Sequence, residues 1–229
     1  MQKQLKIGAS QKVNLATPDA ELFEPGELGL TLEIQVRDRY GNVKQEWKKR
    51  SESFVRQFLD LLMCAFNSNG PYNPQYTADI TNVQRPLIAH SQLFQNNGGI
   101  GDTYCGIVVG TDFTAPTITD YALITPITHG VGAGQLQYGA MAYGAPSANL
   151  TVSSFTNTRV FTNGSGVNIT VYELGIYVNG YYNNGGIMSG VISPPSLARF
   201  MIVRDVIGAG ILIQNGEALT VNYRYQGVV

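Results

Sequence analysis

The stretch Asn168-Ile-Thr-Val-Tyr-Glu-Leu-Gly-Ile-Tyr-Val178 decides the fold. In an extended chain successive side chains point to opposite faces, so Leu174, Ile176 and Val178 share one face while Val171, Glu173 and Tyr177 share the other. A strand that is apolar on both faces is central in its sheet or covered by another subunit. Similar segments surround it: Tyr104 to Val109, Gln135 to Tyr143, Leu150 to Phe161, Arg199 to Asp205 and Ala218 to Tyr225. Asn163-Gly, Asn179-Gly and Asn215-Gly supply turn signals between them, the spacing of an antiparallel sandwich.

Upstream, Leu30, Leu32, Ile34 and Val36 alternate with polar residues, Asp38-Arg-Tyr-Gly-Asn42 has turn chemistry, and Val43 to Trp47 can return as an antiparallel partner. Ser51 is placed to cap a following helix through Phe66. There Phe54, Phe58, Leu61, Leu62 and Ala65 repeat at three and four residues, and Val55, Leu59 and Phe66 widen the stripe. This pattern predicts a helix buried on most sides, with Arg56, Gln57 and Asp60 left for solvent, and Asn67-Ser-Asn-Gly-Pro71 ends it. The passage from there to Asp102 reads as polar loop. The expected fold is mainly β: an antiparallel β-sandwich, jelly-roll-like, with an N-terminal arm, one β-hairpin and one buried α-helix. The boundaries are 1–27 for an extended arm, 28–75 for hairpin plus helix, and 76–229 for the sandwich domain.

Composition narrows the function. Charged residues make up 14% of the 229, against an average near 25%, which excludes a highly charged disordered chain or a coiled coil. A formal net charge of -1 removes the basic footprint of a nucleic-acid binder. No apolar run approaches the roughly 20 residues of a membrane helix, and the first residues lack a secretory h-region, so synthesis and assembly in a cytoplasm, without a membrane partner, are expected. Residues 1–60 carry 10 of the 15 Lys and Arg and 9 of the 16 Asp and Glu, whereas Tyr121 to Thr158 has no charged residue at all. A surface of hydroxyls, amides and backbone costs less to desolvate than a charged one, which favours permanent subunit contacts.

Groups that could carry chemistry are few. His90 and His129, the only histidines, read as loop residues making single hydrogen bonds; Cys64 and Cys105 read as buried thiols. The glycine clusters Asn97–Asp102, Gly130–Gly134 and Gly208–Gly210 do not open a helix after a strand, as phosphate binding requires. Asp102, Asp112 and Asp120 match no calcium loop, and no cofactor, metal or catalytic residue is expected. The sequons at Asn149, Asn163 and Asn168 are those that chance places in a chain rich in Asn, Ser and Thr. Glu173, Arg159, Arg204 and Asp205 are expected to pair within or between subunits. Tyrosines offer flat amphipathic surfaces, and Tyr138, Tyr143, Tyr181 and Tyr182 are the candidate subunit or glycan contacts.

The segments Ile107-Val-Val-Gly-Thr-Asp112, Asp120-Tyr-Ala-Leu, Thr158 to Tyr177, Val203-Arg-Asp-Val and Asn215-Gly-Glu-Ala-Leu-Thr-Val-Asn-Tyr together resemble a module of structural proteins of tailed bacteriophages and related head-tailed viruses. The turn Asp38–Asn42 with Arg50-Ser-Glu-Ser-Phe-Val-Arg-Gln-Phe-Leu resembles a segment that accompanies it, so that the likeness spans most of residues 30–225. The resemblance implies a virion component without enzymatic activity, associated with capsid, neck or tail, whose partners are itself as a symmetric homo-oligomer and other virion proteins. The charged first quarter would then be a docking arm. The alternative is a glycan-binding host-recognition module using the loop from Asn179 to Gly186 with Tyr181 and Tyr182. A hydrolase has no supporting pair of carboxylates.

Overall fold

The computed structural model describes residues 27–51, 54–66, 76–88, 90–182 and 195–228. The expected arm, apart from Glu27, and the helix stop at Asn67–Pro71 lie outside the described residues. In chain order the elements are β1 (Leu28–Arg37), β2 (Val43–Ser51), α1 (Arg56–Phe66), β3 (Tyr76–Ala78), β4 (Gln84–Ile88), β5 (Gly106–Gly110), β6 (Gln137–Tyr138), β7 (Ala142–Tyr143), β8 (Ser147–Ala148), β9 (Val152–Thr162), β10 (Ile169–Tyr182), β11 (Ser196–Ile213) and β12 (Ala218–Val228). The molecule is mainly β. One sheet runs β2-β1-β12-β9, with β6, β7 and β8 on the far side of β9; the other runs β11-β10, with β5, β4 and β3 beyond β10. Every strand pairing is antiparallel.

The predicted hairpin forms because Asp38 organises its turn: its carboxylate accepts the amides of Tyr40 and Asn42 at 2.8 and 3.0 Å, and Gly41 takes φ +85°. Hydrogen bonds from Asn42 lower the Asp38 pKa. Leu30, Leu32, Ile34 and Val36 are all buried, and β1 pairs with β12 from Leu28–Gly227 to Arg37–Ala218. One core therefore runs across the 75/76 boundary and contains Leu30 to Val36 together with Leu174, Ile176, Phe200, Val221 and Tyr223.

The two sheets are also stitched by polar contacts. Asp205 of β11 is wholly buried and accepts from Ser51 Oγ at 2.7 Å and Tyr223 Oη at 3.0 Å, both on the opposite sheet. Lys49 lies 3.2 Å from the same carboxylate. At one end, the Asn163 and Asn215 turns are coupled. Asn163 Nδ2 donates to the carbonyls of Val167 and Ile213 at 2.8 and 2.9 Å, and the amide of Gly216, at φ +85°, donates to the carbonyl of Asn163.

Several expectations need correction. Ser51 does not cap a helix: it ends β2, and its hydroxyl goes to Asp205. The helix begins at Arg56, whose amide donates to the Ile118 carbonyl at 2.9 Å. It rests on Gln57, Asp60, Leu61 and Cys64, while Leu59, Met63 and Phe66 are exposed, so it is amphipathic with its apolar side partly outward. Gln57 is tolerated inside because its amide donates to the Ala78 carbonyl at 3.4 Å. The passage read as loop contains β3 and β4, which are too short for periodicity to reveal. Asn179-Gly lies inside β10, where glycine is required because a Cβ on Gly180 would meet the Phe200 ring at 2.4 Å. The strand expected over Gln135–Tyr143 is two separate two-residue pairings with β9.

Candidate functional site

β10 is central and has both faces covered within the chain. Leu174, Ile176 and Val178 are buried in the shared core. The other face is covered by the loop between β5 and β6. Glu173 accepts the amides of Ile124 and Thr125 at 3.2 and 2.8 Å, and the Tyr177 hydroxyl accepts the Leu123 amide at 2.8 Å. Gly175 leaves room for Leu123, whose side chain would lie 3.0 Å from a Cβ there.

Arg204, next to Glu173 across the β10–β11 pairing, completes the clamp. Its Nε donates to Glu173 at 3.0 Å, one Nη donates to Asp120 at 2.9 Å, and the other donates to the Thr114 carbonyl at 3.1 Å and stands 3.7 Å from Asp112. Arg204 and Glu173 are both fully buried. Asp112 and Asp120 thus converge on a guanidinium, and hydrogen bonds from Thr114 hold Asp112 below the usual carboxylate range. Asp102 turns instead to the amide of Tyr104 at 2.8 Å. Among the described residues no group of three His, Cys, Asp or Glu side chains is arranged to hold a metal ion.

Arg159 on β9 is also fully buried, but the expected carboxylate partner is replaced by four carbonyls: Gly139, Cys105, Ile107 and Gly99, at 2.8 to 3.0 Å. Its guanidinium carbon sits 4.9 Å from the Tyr138 ring centroid. The first glycine cluster is explained by this cage. Gly99 supplies a carbonyl, and a Cβ on Gly98 would come within 2.2 Å of the Cys105 carbonyl oxygen. The cluster at Gly208–Gly210 is part of a bulge in β11, where Gly210, at φ +67°, packs under the Tyr172 ring.

The candidate tyrosines divide. Tyr138 is buried, donating to the Ile127 carbonyl at 2.6 Å, and burial pushes its pKa up to about 12. Tyr182 is buried with Arg85 over its ring. Neither presents a surface to a partner, because alternation along their strands turns them inward. Tyr143 is exposed, with its hydroxyl 3.2 Å from Asn96 Oδ1. Tyr181 is half-buried, stacked on His90 at 3.8 Å and hydrogen-bonded to Gln92. The rest of the loop proposed for glycans, from residue 183, lies outside the described residues.

Each histidine accepts one backbone amide through Nδ1: His129 from Tyr138 at 3.0 Å, and His90 from Gln92 at 3.2 Å. Cys64 and Cys105 are buried free thiols whose pKa values are pushed up, chiefly by burial. Among the described residues no helix is long and apolar enough to cross a membrane.

Beyond Asp120 no charged side chain among the described residues is exposed. Seven charged residues follow Asp120 in the sequence: Arg159, Glu173, Arg199, Arg204, Asp205, Glu217 and Arg224. In the charge-free stretch Tyr121–Thr158, by contrast, Ile124, Val131, Tyr143, Leu150 and Phe155 are exposed, Leu150 at 96%, and Phe113 and Ile118 just before it are exposed too. Five of the seven charged residues, Arg159, Glu173, Arg204, Asp205 and Glu217, are buried and Arg199 and Arg224 are half-buried, an extent of burial that the expected pairing of four charges does not convey. Compared with known proteins, the chain matches no family model, no curated protein and no solved structure.

Proposed function

We propose that the chain is a non-enzymatic structural component of a head-tailed virus particle, in the capsid, neck or tail, which assembles with copies of itself and with other virion proteins through neutral β surfaces. A jelly-roll-like winding of the two sheets is part of this proposal. The observation that carries it is the surface just described: beyond Asp120 no described charge is exposed, five of seven are buried, and a set of large apolar side chains, among them Ile124, Val131 and Leu150, is exposed. A protein that lives alone in water keeps most Lys, Arg, Asp and Glu on its surface, and an exposed apolar expanse marks a place where another molecule sits. Repetition of one such patch by symmetry lets modest contacts close a ring or shell.

The resemblance of segments within residues 30–225 to virion proteins suggests the setting, and the internal charge clamps are consistent with the rigidity a particle subunit needs. The test is to place charge on the neutral face. Ile124→Lys combined with Leu150→Lys alters two exposed side chains and leaves the core intact. Electron microscopy of the parent is expected to show closed assemblies that the double variant fails to form. Assemblies unchanged by both lysines, or none in the parent, would count against the proposal.

A further inference from the structure

A groove of about 300 Å3 opens where α1, the loop before Asn96, β7, β9 and β12 meet. Phe58, Phe94, Tyr143, Phe155 and Tyr225 give it aromatic walls. Phe155 and Tyr225 are register partners on β9 and β12, with ring centroids 4.6 Å apart and planes 7° from parallel. Tyr225 thereby fixes the plane of Phe155, which remains 41% exposed.

The remaining polar side chains are two amides, Asn96 and Asn157. Asn96 Oδ1 receives the Tyr143 hydroxyl. Asn157 is 3% exposed, and its Oδ1 accepts no hydrogen bond, although its side chain does interact with the Tyr225 phenol. An acceptor left without a donor inside a protein costs free energy until one is supplied. No lining residue carries a charge at neutral pH, where phenols are protonated in any case and burial of both pushes their ionisation further up.

Three properties are therefore required of an occupant: a flat apolar face for the Phe155 ring, hydroxyl donors for the amides, and no charge. A purely apolar segment would leave Asn157 Oδ1 unmatched, and a charged group would be desolvated with no counter-ion. We propose that this groove is a binding site for a neutral pyranose ring, its C–H face on Phe155 and its hydroxyls on Asn157 and Asn96. The site is independent of Tyr181 and Tyr182 and does not rest on the assembly proposal.

The experiment is saturation-transfer NMR and titration calorimetry of the full chain with methyl glycosides of glucose, galactose, mannose and N-acetylglucosamine, their disaccharides, and lactose beside sialyllactose. At least one neutral sugar is expected to bind. Phe155→Ala should weaken that binding about tenfold, Tyr143→Phe should weaken it less, and the sialic acid should add nothing. Circular dichroism of Phe155→Ala, a change at an exposed side chain, verifies folding. No transfer to any sugar, or binding undiminished in folded Phe155→Ala, would overturn the proposal. So would a fall in oligomer mass on Phe155→Ala without sugar binding by the parent, which would make the groove a contact between copies.

Discussion

Arg204 meets Glu173 at 3.0 Å with both side chains wholly buried, and the pair holds down the loop that covers the outer face of β10. Through Asp120, Thr114 and the amides of Ile124 and Thr125, one guanidinium and one carboxylate fix a segment that would otherwise have few reasons to lie flat. Removing one partner of a buried ion pair leaves a charge without compensation, at a cost of about 3–5 kcal/mol. Arg204→Met is expected to lose that much in denaturant unfolding. Arg204→Met with Glu173→Met should lose less than the two single changes added together, which a double-mutant cycle measures.

The Arg159 cage makes a different demand. Four carbonyls from separated segments are satisfied by one planar group, and a lysine has neither the geometry nor the number of donors to replace it. Arg159→Lys should therefore destabilise by about 1–3 kcal/mol, since buried carbonyls are left unpaired. Hydrogen exchange should rise first in the Asn97–Asp102 loop. Protection unchanged there would show that the loop is held by other contacts.

Alkaline pH should unfold the protein through its tyrosines. Tyr138 has its pKa raised from 10.0 to about 12 by burial, and burial raises Tyr177 and Tyr223 as well. A raised folded-state pKa means that the stabilisation is complete below pH 10 and is lost as pH rises through the folded value. The Tyr138 share is about 2–3 kcal/mol. Tyr138→Phe should flatten the fall in stability between pH 10 and 12, and an unchanged slope would exclude Tyr138 as its cause.

Acid should act on Asp79. Burial opposes its charge, but hydrogen bonds from Thr81, Arg85 and the Val83 amide outweigh that and hold its pKa below the usual carboxylate value. Its contribution is present above the unfolded-state pKa near 4 and disappears as pH falls through the folded-state value. Asp79→Asn should make the β3–β4 turn less stable at pH 7 and less sensitive to acid, as followed by exchange of the Asn82 and Val83 amides.

The strongest elements were legible in the sequence because their periods are long and their turns carry distinctive residues. Alternation from Leu30 to Val36 and the Asp38–Asn42 turn gave the hairpin, and the doubly apolar Asn168–Val178 gave a central strand. The faces of the helix are not legible because Gln57 and Asp60 look solvent-seeking, whereas a hydrogen bond from Gln57 to the Ala78 carbonyl and an ion pair of Asp60 with Arg56 one turn earlier let them lie inward. Tyrosine positions were half legible, since the residue alone does not say whether its phenol meets water or, like Tyr138, a carbonyl. The aromatic groove was invisible, because Phe58, Phe94, Phe155 and Tyr225 come from four distant segments that only the β9–β12 register and the seating of α1 bring together.

The central claim is that the neutral exterior beyond Asp120 is a surface for copies of this chain. Light scattering across a concentration series measures the absolute mass of the full chain in solution. The account predicts a discrete multiple of 24.8 kDa that does not change with dilution and falls to a single chain when Ile124→Lys and Leu150→Lys are introduced together. A parent that remains at 24.8 kDa at every concentration would contradict it.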